Sequence, residues 1–188
     1  MPLTTYTAGQ VLTAASLNAN LSFASTNGGL VLVKTQTIGT AVSSVAVTGA
    51  FSTDYDAYKI VISGGVGSGN GSLQLQLGST TTGYYGGFGG STFAGVADAG
   101  GYANAANFQN VGRGSTNTLQ MSVELQNPFD TKNTYAQYSF IVNDSGAGRA
   151  RMTGAFLNNS TSYTGFTIVV ETGTLTGGTI AVYGYAKA

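Results

Sequence analysis

Apolar and polar residues alternate with a period of two over most of the chain after Leu30, and this alternation restricts the fold more than any other feature. A period of two fits a half-buried strand, because successive side chains of a strand point to opposite faces. Turns rich in glycine, serine and asparagine separate the alternating runs. The pattern predicts antiparallel β structure, and its clearest run places on one face Leu119, Met121, Val123 and Leu125.

Strand-like runs occur on both sides of an irregular central segment. Four lie between Leu30 and residue 77, and four or five follow residue 117 at short intervals. Eight or nine antiparallel strands joined by short turns are typical of a two-sheet sandwich. The 188 residues are enough for one such domain with its own core. We therefore expect an all-β, antiparallel two-sheet sandwich of jelly-roll-like form over residues 29–188.

The residues before this domain follow a helical pattern instead. Leu17 and Leu21 lie one turn apart, and Thr13 is a suitable N-cap for a helix over about residues 13–24. A helix of about 12 residues is marginally stable alone in water, so its apolar edge needs a partner on which to dock. We therefore expect residues 1–28 to form an attachment segment with a short helix.

Residues 79–116 form a long insertion that has no clear period and contains ten glycines. A structureless segment of this length in a compact domain is usually functional or disordered. Its aromatic residues suit contacts with sugars, because Tyr with Gly and Ser forms adaptable binding loops. Packing of these rings on their own sandwich or on a neighbouring subunit is the alternative. The candidates for contact with a glycan or a partner are Tyr84, Tyr85, Phe88, Phe93, Tyr102, Phe108 and Arg113.

Arg149 and Arg151 form a second candidate contact site. They are two residues apart in a strand-like run, so both side chains project to one side, opposite Met152. Two guanidinium groups placed in this way suit a clamp for a phosphate or a sugar carboxylate. The alternatives are a simple surface pair or an ion pair with an acid of a neighbouring chain.

The residue types that most catalytic sites need are absent or scattered. The chain has no cysteine and no histidine, which removes the usual thiolate nucleophile, general base and metal ligand. Asp54 and Asp56 precede a strand, a position typical of turn residues. The glycine-rich run at residues 64–71 precedes a strand, whereas a dinucleotide-binding loop precedes a helix. We therefore expect no catalytic residues, no metal site and no cofactor.

The charge content limits the class of partner. Seven positive and seven negative residues give no net charge, and 7% charged residues compares with about 25% in ordinary domains. A free monomer with so little charge tends to associate, so we expect a homo-oligomer. Without a basic excess, nucleic acid is not an expected partner. Since no apolar run reaches about 20 residues, membrane insertion is not expected either.

The opening stretch "YTAGQVLTAASLNANL", residues 6–21, resembles a segment near the start of many tailed-bacteriophage fibre and other virion proteins. Its pattern is an aromatic residue, Ala-Gly, "VLTA" and then Asn18. Residues 51–65 and 177–188 are similar to strands of related phage tail or capsid-associated proteins. The resemblance implies a virion structural protein, with a trimer favoured, whose N-terminal segment is the attachment end. The virion-attachment residues it implies are Tyr6, Val11, Leu12, Leu17, Leu21 and Phe23.

These observations predict a component of the tail fibre or spike type. It would be made in the host cytoplasm, join other virion proteins through its N-terminus and contact a glycan of the host surface. A capsid decoration or head fibre protein stays open, because the chain has no heptads or collagen-like repeats for a fibre shaft. A non-catalytic carbohydrate-binding module is the other alternative. An enzyme is not expected, since a polysaccharide hydrolase needs two carboxylates that face each other across the sugar.

Overall fold

The computed structural model describes residues 5–11, 13–27, 29–142 and 148–187. One helix is followed by fourteen strands in these residues. The elements are α1 (Ala14–Asn27), β1 (Leu30–Thr37), β2 (Ser44–Val47), β3 (Ala57–Ser63), β4 (Val66–Gly67), β5 (Gly71–Leu77), β6 (Tyr84–Thr92), β7 (Gly100–Ala105), β8 (Phe108–Gly114), β9 (Leu119–Gln126), β10 (Thr134–Val142), β11 (Arg149–Leu157), β12 (Phe166–Val170), β13 (Leu175–Thr176) and β14 (Thr179–Tyr185).

Twelve of the strands form one antiparallel sheet, which folds over at β9 to give two layers, while β4 and β13 pair separately. One edge of β9 pairs with β8 through residues 119–121 and with β10 through residues 123–126, while β3 runs along its other edge. The short layer has the order β2-β12-β5-β8 and the long layer β1-β14-β3-β9-β10-β11-β6-β7. The predicted all-β antiparallel sandwich with a short N-terminal helix is confirmed, although more strands are present than the eight or nine expected.

The hydrophobic core lies between the layers. Alternate residues of the long layer, such as Leu125 and Leu157, belong to one buried cluster with Leu75 of the short layer. Tyr84 of β6 and Phe108 of β8 connect the two layers directly, because their rings meet edge-on with centroids 4.8 Å apart. The alternation seen in the sequence therefore marks the inward face of each strand.

The segment at residues 79–116 is not structureless, because it contains β6, β7 and β8. Its strands were hard to recognise because glycine stands at many positions of β6, "YYGGFGGST", and a residue without a side chain adds nothing to an apolar–polar pattern. The segment pairs into the long layer through β6–β11 and into the short layer through β5–β8. Both layers therefore depend on it.

Helix α1 begins where the sequence predicts and ends three residues later than expected. The Oγ1 of Thr13 accepts a hydrogen bond from the backbone N–H of Ser16 at 3.2 Å, which is the predicted N-cap. Leu17 and Leu21 are 41% and 58% exposed, so neither side chain is packed against the sandwich. No helix of the described residues has the length and apolar character needed to cross a membrane.

Candidate functional site

The outward-facing side chains of the long layer form rows that cross several strands. Strand register places Tyr85 of β6 opposite Phe156 of β11, and Phe156 opposite Tyr135 of β10. The first two rings are stacked at 5.2 Å with an angle of 15°, and the centroids of the Phe156 and Tyr135 rings are 6.2 Å apart. The three side chains therefore form a continuous aromatic row on the outer face.

The next row, two residues further along each strand, forms a trough. Register aligns Gly87 with Gly154, and Gly154 with Gln137. A Cβ atom added at Gly154 would meet no heavy atom within 4 Å, and one added at Gly87 would meet only a carbonyl oxygen at 4.0 Å. Met152, which is 75% exposed, stands on the far side of the glycines. We call the channel over Gly87, Gly154 and Gln137, between the aromatic row and Met152, the trough.

Polar side chains occupy the end of the trough on β9 and β3. Gln137 pairs with Glu124, and Glu124 pairs with Lys59. The Nζ of Lys59 lies 3.6 Å from the Oε1 of Glu124, and the hydroxyl of Tyr185 donates to the same oxygen at 2.8 Å. Partial burial and the neighbouring Glu124 carboxylate raise the pKa of Tyr185. The two opposite charges leave this end of the trough electrically neutral.

The trough is large enough for a small ligand. Two open depressions, of about 460 and 500 Å³, share Gly154 and Gln137 and are therefore continuous. A smaller depression of about 110 Å³ adjoins them and is lined by Tyr135, Gln126, Gln137 and Glu124. An aromatic ring beside two amides and a carboxylate can stack on an apolar ring face and hydrogen-bond to hydroxyl groups.

Of the aromatic residues proposed as contact sites, only Tyr85 belongs to the aromatic row. Tyr84 and Phe108 are wrongly assigned, because both are fully buried in the core and cannot meet a ligand. Tyr102 shares a hydrogen bond of 2.9 Å with the hydroxyl of Tyr138. Burial is the main reason why the pKa of both hydroxyls is raised. The ring of Phe93 is 61% exposed in the turn between β6 and β7, away from the trough.

The proposed arginine clamp is occupied by the chain's own acid. The Nε and Nη2 of Arg151 donate to Asp98 at 2.6 and 2.8 Å, and this pair holds the pKa of Asp98 below its usual range. The guanidinium of Arg151 also lies 4.4 Å from the ring centroid of Phe88. Arg149 is less engaged, with its Nη1 3.8 Å from Asp98. Arg113 donates to the Oγ of Ser72 at 2.7 Å and is half-buried.

The residues that the resemblance assigns to virion attachment precede the sandwich, and those with described side chains are mostly exposed. Val11 is 81% exposed, and the exposed Leu17 and Leu21 follow it on α1. Tyr6 is half-buried, and its hydroxyl has no hydrogen-bond partner among the described residues. Leu12 lies outside the described residues, as does the side chain of Phe23.

Most of the trough is not predicted by the sequence. Tyr135, Gln137 and Phe156 lie in runs that were recognised as strands, and only their outward position makes them functional candidates. The alternation within β10 does indicate their orientation. Tyr135 and Gln137 alternate with the buried Ala136 and Tyr138, so they lie on the opposite, outer face of the strand. The sequence alone does not show which strands lie side by side.

The chain's similarity to known proteins does not add to this description. No family model, no curated protein and no solved structure matches it. Among the described residues, no three acidic side chains come together in a way that could hold a metal ion. The features of the molecule that bear on function are the exposed N-terminal helix, the outer face of the long layer and the residues of the opening segment.

Proposed function

We propose that this chain is a structural subunit of a bacteriophage virion, of the tail fibre or spike type, anchored through residues 1–28. The observation that carries the proposal is the exposure of Leu17 and Leu21 on α1. The resemblance of the opening segment to the starts of phage fibre proteins supports the same role. The role is structural and involves no reaction and no cofactor.

The exposed helix needs a partner on energetic grounds. An isolated helix of 14 residues is marginally stable in water. Burial of a leucine side chain stabilises by about 1.5–3 kcal/mol, so docking of Leu17 and Leu21 would supply what the helix lacks alone. A neighbouring copy or another virion protein would provide the apolar surface.

Strand β1, which follows the helix in the chain, also has exposed apolar residues. Leu30 and Leu32 are 43% and 54% exposed, and β1 pairs only with β14 among the described strands. An edge strand with an unpaired side offers both backbone hydrogen bonds and apolar contacts to another chain. These features, together with the very low charge, support a homo-oligomer, for which we propose a trimer held at the N-terminal end.

The mass of the purified protein in solution tests this proposal. We expect about three times 19.0 kDa by light scattering, and incorporation into the particle when the chain is produced during infection. The double variant Leu17→Asp/Leu21→Asp should have the mass of one chain and an unchanged β-sheet circular dichroism spectrum. Deletion of residues 1–25 should have the same result.

Ala15→Asp/Ala19→Asp is the matched control for the leucine variant. These two positions have the same spacing on the opposite side of α1 and are also exposed. The control should keep the mass and the incorporation of the natural chain. A single-chain mass for the natural protein, or assembly that survives loss of residues 1–25, would overturn the proposal.

A capsid decoration or head fibre protein is the second candidate. The observation that favours it is the short connection between the helix and the sandwich, because β1 starts at Leu30, three residues after α1 ends. Copy number separates the two candidates. A number close to that of the major capsid subunit would indicate a head location, whereas a few copies per particle and binding to host cells would indicate the tail.

A further inference from the structure

We infer that the trough on the outer face of the long layer is a binding site for a neutral oligosaccharide. The inference deepens the proposed function, since it supplies the host-surface contact, and depends on that proposal only for where the glycan comes from. The site shares Tyr85 with the contacts that the sequence indicates, but most of it is formed by β9, β10 and β11. Its central residues are Tyr135, Gln137 and Gly154.

The ring of Tyr135 provides the stacking surface. The ring of Phe156 lies beside it at 6.2 Å and 33°, and Tyr135 also lines the depression formed with Gln126, Gln137 and Glu124. Tyr135 is 48% exposed, so a large part of its apolar surface meets water in the free protein. The C–H groups on one face of a sugar ring are apolar and can cover such a surface, while the hydroxyl groups stay free for hydrogen bonds.

The polar groups around Tyr135 suit hydroxyl groups. The Gln126 and Gln137 side chains are exposed and make no hydrogen bond to the described part of the chain. Each amide offers both donors and an acceptor, and Glu124 adds carboxylate acceptors. Since a sugar hydroxyl both donates and accepts, this mixed set matches a polyol.

The charge of the site favours a neutral sugar over an acidic one. Lys59 and Glu124 are the only charged residues in the two rows described, and they pair with each other. The three arginines lie elsewhere, and Arg151 is held by Asp98. A sialic acid or a phosphate would therefore find no free cation in the trough.

The glycines of the trough leave a channel that runs across the strands, and a ligand bound in it would lie in the same direction. Glycine inside a strand costs about 0.5–1 kcal/mol relative to alanine, and the space over Gly154 is not used by the chain itself. The trough crosses β6, β11, β10, β9 and β3, a distance of about 19 Å at the usual strand spacing of about 4.8 Å. That length accommodates several sugar units end to end.

A second copy related by a two-fold axis fits this surface less well, and the trimer proposed above is held at the N-terminal end instead. A two-fold contact through the same face would place one trough against another, because the same patch meets itself across the axis. The depressions of about 460 and 500 Å³ in each copy would then face each other and leave an unfilled space. Stable interfaces are packed as densely as protein interiors.

The test uses the full-length protein on an array of neutral and sialylated oligosaccharides, followed by titration calorimetry with the neutral sugar that binds best. We expect binding to at least one neutral oligosaccharide. Tyr135→Ala should weaken it at least tenfold, and Gly154→Val should abolish it by filling the trough. Thermal melting of each variant, which should stay close to that of the natural chain, separates loss of the site from loss of the fold.

Phe93→Ala is the matched control, because Phe93 is an exposed aromatic residue outside the trough, with 61% of its surface accessible against 48% for Tyr135. Its binding should equal that of the natural chain. Absence of binding to every neutral glycan, or loss of binding in Phe93→Ala alone, would overturn the inference. A change of oligomeric mass in Tyr135→Ala would overturn it too, since the face would then be a subunit interface. The Leu17→Asp/Leu21→Asp variant should still bind sugar, so failure of the virion proposal would be seen separately.

Discussion

The two faces of β6, β10 and β11 differ sharply although they belong to the same strands. On the inner face Tyr84 and Leu157 have no exposed surface, and their neighbours in sequence, Tyr85 and Phe156, form the half-buried aromatic row of the outer face. The inner face is fixed by close packing, in which each side chain fills space left by others. The outer face contains glycines where larger residues would fit. The packing of the chain does not explain the outer face, whereas a ligand that fills the trough does.

The inner face of β10 stays buried even at the far end of the strand. Phe140 and Val142 of β10 are 5% and 2% exposed but do not belong to the main core cluster. Near them, the guanidinium of Arg151 lies 5.9 Å from the ring centroid of Phe140 and is held by Asp98. The Arg151–Asp98 ion pair thus helps to cover the inner face at this end, whereas apolar side chains cover it at the centre.

The largest expected effect is a difference in stability between alanine variants of two neighbouring residues, one on each face of β11. Leu157→Ala should lower the free energy of unfolding by about 2–5 kcal/mol, because it leaves a cavity in the core. Phe156→Ala should lower it by only about 1–2 kcal/mol, since its ring contacts with Tyr85 and Tyr135 are lost at a half-buried position. Urea denaturation followed by circular dichroism measures both values. Equal losses would mean that the outer row is part of the structural core.

Alkaline pH should act on the inner face through its buried tyrosines. Burial raises the pKa of Tyr84 and of Tyr138 well above the ordinary value of about 10. Below pH 10 the hydroxyls are protonated in both states and the stabilisation is fully present. Above pH 10 the unfolded chain ionises and the folded chain does not, so stability falls as pH rises, by about 1.4 kcal/mol per pH unit for each such tyrosine.

Tyr84→Phe tests the origin of this alkaline loss. The variant should be about 1–3 kcal/mol less stable at pH 7, because the backbone N–H of Leu77 loses its acceptor at 2.9 Å. It should also have a shallower decline between pH 10 and 11.5, measured as unfolding free energy against pH. Phe156→Ala is the control, since it removes no hydroxyl group and should leave the slope unchanged. An unaltered slope in Tyr84→Phe would show that this hydroxyl does not titrate differently in the two states.

Asp98→Asn examines the ion pair at the end of the inner face. Hydrogen bonds from Arg151, and the charges of Arg151 and Arg149, hold the pKa of Asp98 down. The stabilisation is therefore present above about pH 4 and is lost as pH falls through the folded-state pKa. We expect Asp98→Asn to lower the free energy of unfolding by about 1.5 kcal/mol at pH 7. Below pH 4, the free energy of unfolding of the variant should fall less steeply with decreasing pH than that of the natural chain.

Asp130→Asn provides the comparison for this ion pair. Asp130 and Lys132 form an exposed pair at 3.2 Å, with 38% and 70% of their side chains accessible. Exposed pairs contribute about 0–1 kcal/mol, so this variant should lie close to the natural chain. If both variants lost the same free energy in urea denaturation, the partial burial of Asp98 would have no energetic consequence.

The comparison of faces also explains which parts of the molecule the sequence could predict. Strands such as β9 were recognised because Met121 and Val123 alternate with polar residues, and a helix near residues 13–24 was recognised from its N-cap and leucine spacing. β6 was missed because glycine hides the alternation. The trough cannot be predicted from the sequence, because Tyr85 and Tyr135 are distant in the chain and come together only through the pairing of β6, β11 and β10. Neighbouring residues of a strand lie on opposite faces of the sheet. Without a visible alternation in β6, the sequence predicts the same contact role for Tyr84 and Tyr85, although only Tyr85 lies on the outer face.

The smallest expected effect has opposite signs on the two faces and is therefore the most direct check of the comparison. A Cβ atom at Gly89, on the outer face, would meet no heavy atom within 4 Å, so Gly89→Ala should raise the free energy of unfolding by about 0.5 kcal/mol as the unfolded chain loses freedom. At Gly90, on the inner face, the added Cβ would collide with the carbonyl oxygen of Ala150, and Gly90→Ala should be destabilising. Thermal melting of the two variants side by side would give shifts of opposite direction. If both variants melted below the natural chain, the outer glycines would be needed for the fold itself, which would contradict their role in leaving room for a ligand.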